Sequence, residues 1–325
     1  MIIAIVGATG LVGRTILNIL YQKGYTQNNE ILLYASSKSA GTSITIKNQT
    51  FYVQELTHKT INPHISFAFF SAGGTVSKTW AKEFTKNGTI VIDNSNAYRR
   101  CKNVPLVVPE INFNSIGLKH KIIANPNCST IGLCVALAKL HSINPIKRLI
   151  VSTYQAVSGG GQKGITDLQT GTCNKFTYPI KNNLIPHIDK FLNNGYTLEE
   201  DKLRFETSKI FNSKINLCAT AVRVPVSNCH AESVNIEFTN KINLTKLKQI
   251  LLSTSGVTLL DDTINNLYPM PQIANNTDNV FVGRVRKDYT TPNCYNIFLC
   301  FDNLRKGAAL NAVQIMQKYI ECFYK

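Results

Sequence analysis

The stretch NPNCST, residues 125–130, places a cysteine where a helical run begins. Proline biases Asn125 towards extended backbone, so the helix is expected to open near Cys128. There, unpaired amide N–H groups and the helix dipole favour a thiolate. Most cysteines are small buried hydrophobes, and Cys134, six residues further along the same run, fits that description. The chemistry open to Cys128 is nucleophilic attack, which calls for an acid or base nearby. Of the six histidines, His58, His64, His120 and His141 lie in segments expected at the surface, and His187 follows a proline in a loop. His230 ends AVRVPVSNCH (221–230), read as a strand that leaves into a polar turn and carries Arg223 seven residues earlier. An arginine at the start of a strand and a histidine past its end can face one cleft; a histidine with a purely structural role is the alternative.

A second group of residues points to a dinucleotide. GATGLVG sets Gly7, Gly10 and Gly13 three residues apart, directly after the apolar run IIAIVG (2–7) and at the start of LVGRTILNILYQKG (11–24). Glycines in that context let backbone approach a pyrophosphate, whose charge suits a helix N-terminus. The next strand-like run, EILLYAS (30–36), leads into ASSKSAG (35–41), with hydroxyls at Ser36, Ser37 and Ser39 and a cation at Lys38. An NAD site usually places a carboxylate there for the ribose 2′-hydroxyl. Its absence and the Lys38 cation favour the 2′-phosphate of NADP over a plain polar surface loop.

These residues need a scaffold, and the sequence supplies two kinds. Strand-like runs at 2–7, 30–36, 65–73 and 88–95 alternate with helical ones at 11–24 and 77–87, the mark of an α/β domain with a parallel sheet. Beyond Cys128 come a helix (129–141), a strand (148–158), the glycine loop GGGQKG (159–164) and strand-like stretches at 216–226, 233–239, 279–288 and 296–303. That order suggests a mixed sheet with helices on one face, followed by an amphipathic helix over 306–323. A chain of 325 residues accommodates two such cores. The composition, 44% hydrophobic and 17% charged, is that of an ordinary globular protein.

The net charge of +16 raises the question of nucleic acid, but the basic clusters at 98–102, 119–121 and 284–287 are short and scattered and match no nucleic-acid-binding motif. Compositional bias across the whole chain is the simpler account of the charge, and attraction of anionic small molecules is the alternative. The nine cysteines include no C-x-x-C pair, which argues against a zinc site or a disulfide framework. The opening MIIAIVGATG carries no positively charged lead-in, and no charge-free apolar run reaches the roughly 18–20 residues that span a bilayer. A cytoplasmic protein is expected.

Taken together, GATGLVG, DNSNAYR (93–99), VPEIN (108–112), NPNCST, TYQAVSGGG (153–161), GYTLEEDKLRFETSKI (195–210), RVPVSNCH (223–230), VGRVRKD (282–288) and DNLRKGAA (302–309) resemble the aspartate-4-semialdehyde dehydrogenase family, in its order and at its spacing. The resemblance implies a Rossmann-type doubly wound domain over residues 1–127, completed by the C-terminal helix 304–325, and an α+β catalytic and dimerisation domain over 128–303. Cys128 would be the nucleophile that forms an acyl-thioester, His230 the general acid/base and Gln155 the residue that orients substrate. Arg223 would hold the substrate α-carboxylate, for which a two-pronged guanidinium suits better than an ammonium. Glu199 would meet the α-ammonium, Arg99 and Lys202 the phosphate, and Asn127 would complete the substrate site. Gly7, Thr9, Gly10, Leu11, Val12, Gly13, Ser36, Lys38, Ser39, Ser158, Gly159 and Asn303 would contact NADP.

The implied reaction is reductive dephosphorylation of aspartyl phosphate to the semialdehyde, in amino-acid biosynthesis, by a homodimer that binds neither nucleic acid nor membrane. An N-acetylglutamyl-phosphate reductase shares the thioester logic, although an acetylated nitrogen gives Glu199 no charge to meet; a silent nucleotide-binding homologue is the other alternative. Two positions depart from the family pattern. Gly160 stands where alanine is common, which should loosen the loop, and Cys229 stands where glycine commonly precedes the histidine. A side chain there is expected to require φ below zero.

Overall fold

In the computed structural model, which describes residues 1–324, the N-terminal apolar run forms β1 (Ile2–Val6) at the heart of a seven-stranded sheet. The other strands are β2 (Glu30–Ala35), β3 (Ser43–Ile46), β4 (Gln49–Glu55), β5 (Ile65–Phe70), β6 (Ile90–Asp93) and β7 (Ile122–Ala124), in the order β3-β4-β2-β1-β5-β6-β7. Every pairing is parallel except β3 with β4. The central strands are apolar along their length because both faces are covered. The helices Leu11–Gln22 and Leu310–Phe323 contribute Ile16, Leu17, Leu20, Val313 and Met316 to one core with Ile3, Ile5 and Phe67. This Rossmann-type unit comprises residues 1–126 together with the chain from Ala308 onwards. Sequence reading missed the β3–β4 hairpin, whose turn Lys47-Asn48 is not one of the strong hairpin dipeptides.

The second unit, residues 127–307, is built on a six-stranded mixed sheet. Its strands are β8 (Ile146–Gln155), β9 (Asn216–Arg223), β10 (His230–Phe238), β11 (Val257–Leu259), β12 (Val280–Lys287) and β13 (Cys294–Phe301), in the order β11-β12-β13-β10-β8-β9. β8 pairs parallel with β9, and β11 with β12, while the remaining pairs are antiparallel. Helices Cys128–Ile143, Leu198–Phe211 and Leu244–Leu252 pack on this sheet. The Cys128–Ile143 helix is buried on nearly every side, so its sequence is apolar all round rather than striped.

Two local expectations are corrected. The strand carrying Arg223 ends at that residue; a turn over 224–229 intervenes, and His230 is the first residue of β10 rather than the exit of its predecessor. The reason is Pro225, which cannot donate to a ladder. The helix Leu198–Phe211 gave no amphipathic signal because its buried face is largely charged or polar, with Glu199, Glu200, Glu206 and Thr207 inside. A capping box marks its start: Glu200 N–H donates to Thr197 Oγ1, and Glu200 Oε2 accepts the Thr197 N–H at 2.6 Å.

The position of the Cys128 helix depends on a glycine. A Cβ at Gly132 would fall 2.1 Å from a carbon of the Phe301 ring, so backbone and ring are in direct contact. Gly132→Ala should therefore destabilise the protein by about 1–3 kcal/mol through overpacking, read as a lower urea midpoint at unchanged m-value. An unaltered midpoint would mean that the ring gives way freely.

Candidate active site

The helix opens where the sequence places it: Cys128 is its first residue and Asn127 its N-cap, with Asn127 Oδ1 accepting the Ser129 N–H at 3.0 Å. The cap is itself fixed from the Leu198–Phe211 helix. Asn127 N–H donates to Glu206 Oε2 at 2.6 Å, and Asn127 Nδ2 donates to Glu199 Oε1 at 2.9 Å. Glu206 escaped the sequence reading, yet Glu199, Lys202 and Glu206 recur at helical spacing as a charged stripe on one face of that helix. Cys128 is half-buried, whereas Cys134, Cys229, Cys294 and Cys300 are buried and their thiols are pushed up, Cys300 to about 12, chiefly by desolvation. Gly307 lies against the Cys128 side chain, where a Cβ would come 3.1 Å from that of the cysteine.

His230 is wholly buried. Its Nδ1 accepts the backbone N–H of Ala156 at 3.1 Å, so the neutral ring carries its proton on Nε2, which meets no partner among the described residues. Burial, then the nearby Arg223 charge, hold the imidazole well below its ordinary value, with only the Cys229 carbonyl opposing. His230 is therefore neutral at physiological pH. Its ring stands edge-on to Phe301 at 6.2 Å. Glu232, two residues along the same strand, is also fully buried; desolvation holds it protonated, well above the usual carboxylate range.

Cys229 contradicts the expectation of a negative φ: it sits in the left-handed region at φ 75°. Its N–H donates to Asn303 Oδ1 at 2.9 Å, and its side chain is buried with Ala231, Ala274 and Cys300. Packing and one hydrogen bond thus offset the roughly 1 kcal/mol that a side chain adds in this conformation. Asn303 also bonds Ser158, Nδ2 to Oγ at 3.0 Å, which ties two of the residues expected near NADP to the histidine turn.

Arg223 and Gln155 are opposite each other in the β8–β9 register. Arg223 is 5% exposed, and burial lowers its pKa while Glu199 and Cys128 oppose that shift. Glu199, also buried, accepts from Gln155 Nε2 at 3.3 Å and pairs with Lys202 Nζ at 3.0 Å; Lys202 reaches Asp189 as well, at 2.6 Å. Burial pushes the Glu199 carboxyl up, but Lys202, Asn127 and Arg223 outweigh it and leave an ionised carboxylate. Gly159 lies against both key side chains: a Cβ there would fall 2.9 Å from Arg223 Nη1 and 3.2 Å from His230 Cε1. The second unit thus brings together Asn127, Cys128, Gln155, Glu199, Lys202, Arg223 and His230.

Ser158, Gly159 and Asn303 also lie in the second unit, and the first holds the remaining candidates. Arg99 is buried and donates from Nε to Asn125 O at 2.9 Å and from Nη2 to Asn94 O at 2.7 Å. A groove of about 600 Å³ is lined by Gly7, Thr9, Gly10, Ser36, Ser37 and Trp80 among others. Gly7 has φ 86°, and a Cβ on it would strike the Ala72 amide nitrogen at 2.8 Å; one on Gly13 would strike Gly7 O at 2.3 Å. No other residue fits these positions, and Gly10 caps the helix that follows. The turn suits a pyrophosphate. Lys38 and Ser39 lie in the exposed turn beyond Ser37. Sequence reading missed Trp80 and also Glu55, which lines the groove because β4 pairs with β2 at Ala35.

Residues 2–118 match the family model "Semialdehyde dehydrogenase, NAD binding domain", and residues 137–306 match "Semialdehyde dehydrogenase, dimerisation domain". The aspartate-semialdehyde dehydrogenase of Aquifex aeolicus is 44% identical, with 98% of each chain covered. Aspartate semialdehyde dehydrogenase II of Vibrio cholerae, crystallised with ASA, superposes with a TM-score of 0.95 at 38% identity, covering 99% of this chain and 98% of that one. The Candida albicans enzyme, crystallised with NADP, gives 0.77 at 26% identity and 98% coverage of both. This chain belongs to the aspartate-semialdehyde dehydrogenase family.

Proposed function

We propose that the protein is an NADP-dependent aspartate-semialdehyde dehydrogenase, converting L-4-aspartyl phosphate into L-aspartate 4-semialdehyde and inorganic phosphate through an acyl-thioester on Cys128. The observation that carries the reading is a half-buried thiol at a helix start, in one unit with a neutral histidine whose Nε2–H meets no acceptor among the described residues and with a buried arginine, Arg223, and a buried carboxylate, Glu199. The Arg223 cation and the Glu199 carboxylate complement the α-carboxylate and α-ammonium of an aspartyl group. An N-acetylated substrate would offer Glu199 no α-ammonium.

The Cys128 thiolate, favoured by the helix N-terminus, attacks the acyl carbon; the C–O bond to phosphate breaks, and phosphate departs with the electron pair. Arg99 and Lys202 are assigned to that phosphate. Gly7, Thr9, Gly10, Leu11, Val12, Gly13, Ser36, Lys38 and Ser39 from the first unit, with Ser158, Gly159 and Asn303 from the second, are assigned to NADP. When bound, the reduced cofactor supplies the hydride that the thioester carbon accepts. Because Nδ1 of His230 is committed to Ala156, the ring works through Nε2–H, donating to the substrate oxygen as negative charge develops there. Collapse of that oxygen expels the Cys128 thiolate and frees the aldehyde. Gln155, bonded to Glu199, holds the carbonyl in line.

The reading includes a cytoplasmic homodimer. No described helix is long and apolar enough to cross a membrane, and none of the nine cysteines forms a disulfide among the described residues. One face of the second sheet is left open by its helices and presents Ile150 and Tyr154, 43% and 38% exposed, to a second copy.

With aspartate semialdehyde, phosphate and NADP, the native protein should reduce the cofactor, and Cys128→Ala should lose all turnover while still binding NADP. Turnover with N-acetylglutamyl phosphate and none with aspartyl phosphate would overturn the assignment. The buried neutral histidine gives a second expectation. The unfolded chain binds a proton at His230 below about pH 6.5 and the folded one does not. Stability is thus lost as pH falls through that value. Wild type should lose about 1.4 kcal/mol more per pH unit than His230→Asn below about pH 6, measured by urea unfolding. Parallel curves would place a charged imidazole in the folded site.

A further inference from the structure

Arg223 is a buried cation with few hydrogen bonds of its own. Its guanidinium donates from Nη1 to Ala156 O at 2.6 Å, while Nε is buried and meets no acceptor among the described residues. One bond to a carbonyl leaves the plane of the fork free to turn about it. What lies against that plane is the ring of Phe176, with the guanidinium carbon 5.6 Å from the centroid. A desolvated cation over an aromatic face gains more than an exposed one, up to about 2 kcal/mol.

Phe176 belongs to a loop, and one carboxylate fixes that loop. Asp167, fully buried in the Gln162–Thr170 helix, accepts the backbone N–H groups of Asn174, Lys175 and Phe176 at 2.8, 2.6 and 3.3 Å and the Thr172 hydroxyl at 2.9 Å. The ring then settles between two glycines. A Cβ on either Gly160 or Gly164 would come 3.2 Å from its Cζ. Gly160 therefore makes room for the ring that faces Arg223.

We propose that Phe176, pinned by Asp167, is a positioning residue that sets the plane of the Arg223 guanidinium and through it the affinity for the substrate α-carboxylate. The inference rests on the role given to Arg223 above. It concerns the orientation of a binding group and leaves the thioester chemistry at Cys128 untouched.

Steady-state kinetics of Phe176→Leu, Asp167→Asn, the double variant and the protein carrying trifluorophenylalanine at 176 test it. The fluorinated ring keeps its shape and loses its negative face. In all four, KM for aspartate semialdehyde should rise roughly tenfold, with kcat and KM for phosphate unchanged and the double variant no worse than the single ones. Wild-type KM in the fluorinated protein, or a fall in kcat at constant KM, would overturn the proposal. A second readout is independent of turnover. In protein labelled with heavy-nitrogen arginine, the Arg223 Nε–H resonance should be shifted by the ring in wild type and move on Phe176→Leu and Asp167→Asn. An unmoved resonance would refute the positioning even if wild type proved inactive on the semialdehyde, in which case the functional reading alone would have failed.

Discussion

The structure of the second unit depends on how the first turn of the Cys128–Ile143 helix is held. A helix start leaves N–H groups without partners, and those groups are what make the position useful to a thiolate. They must be exposed to the sulfur yet fixed in space. Two carboxylates of a neighbouring helix do the fixing: Glu206 takes the Asn127 N–H and Glu199 takes the Asn127 side-chain amide. From the other side, Gly132 seats against Phe301, and Phe301 stands edge-on to His230. The Cys128 helix and the imidazole thus pack against the same ring.

The same network explains why so many charged groups are buried together. Glu199 is ionised in spite of its burial because Lys202, Asn127 and Arg223 surround it, and Lys202 is compensated in turn by Asp189. Buried ion pairs of this kind seldom stabilise a fold relative to apolar packing. Under the proposed function their value is directional, since a preset cation and anion would match a substrate that carries both charges. His230 and Glu232 show the opposite solution on the same strand, where burial without a paired counter-ion keeps both groups neutral.

Much of this was legible in the sequence, and the misses have physical causes. Glycine spacing after β1 identified the nucleotide turn because Gly7 and Gly13 are places where a Cβ collides with backbone. Proline before Asn127 located the helix start at Cys128. The Leu198–Phe211 helix was invisible to hydrophobic periodicity because its inner face is largely charged or polar; the signal it did carry, the Thr197–Glu200 capping box, went unread. The strand boundary at Arg223 was misjudged because Pro225 ends the ladder, and the left-handed Cys229 because tertiary contacts, the Asn303 bond and the small apolar cluster, override the local preference of a single residue. Phe176 carried no signal at all, since its partner Arg223 lies 47 positions away in sequence.

The central claim is that Cys128 carries the acyl group. Mixing the protein with aspartate semialdehyde and NADP in the absence of phosphate, followed by acid quenching and peptide mass spectrometry, tests it directly. The account expects a stoichiometric burst of reduced cofactor and an aspartyl group on the peptide that contains Cys128, discharged when phosphate is added. Sustained turnover without phosphate, or an adduct on any other cysteine, would contradict it.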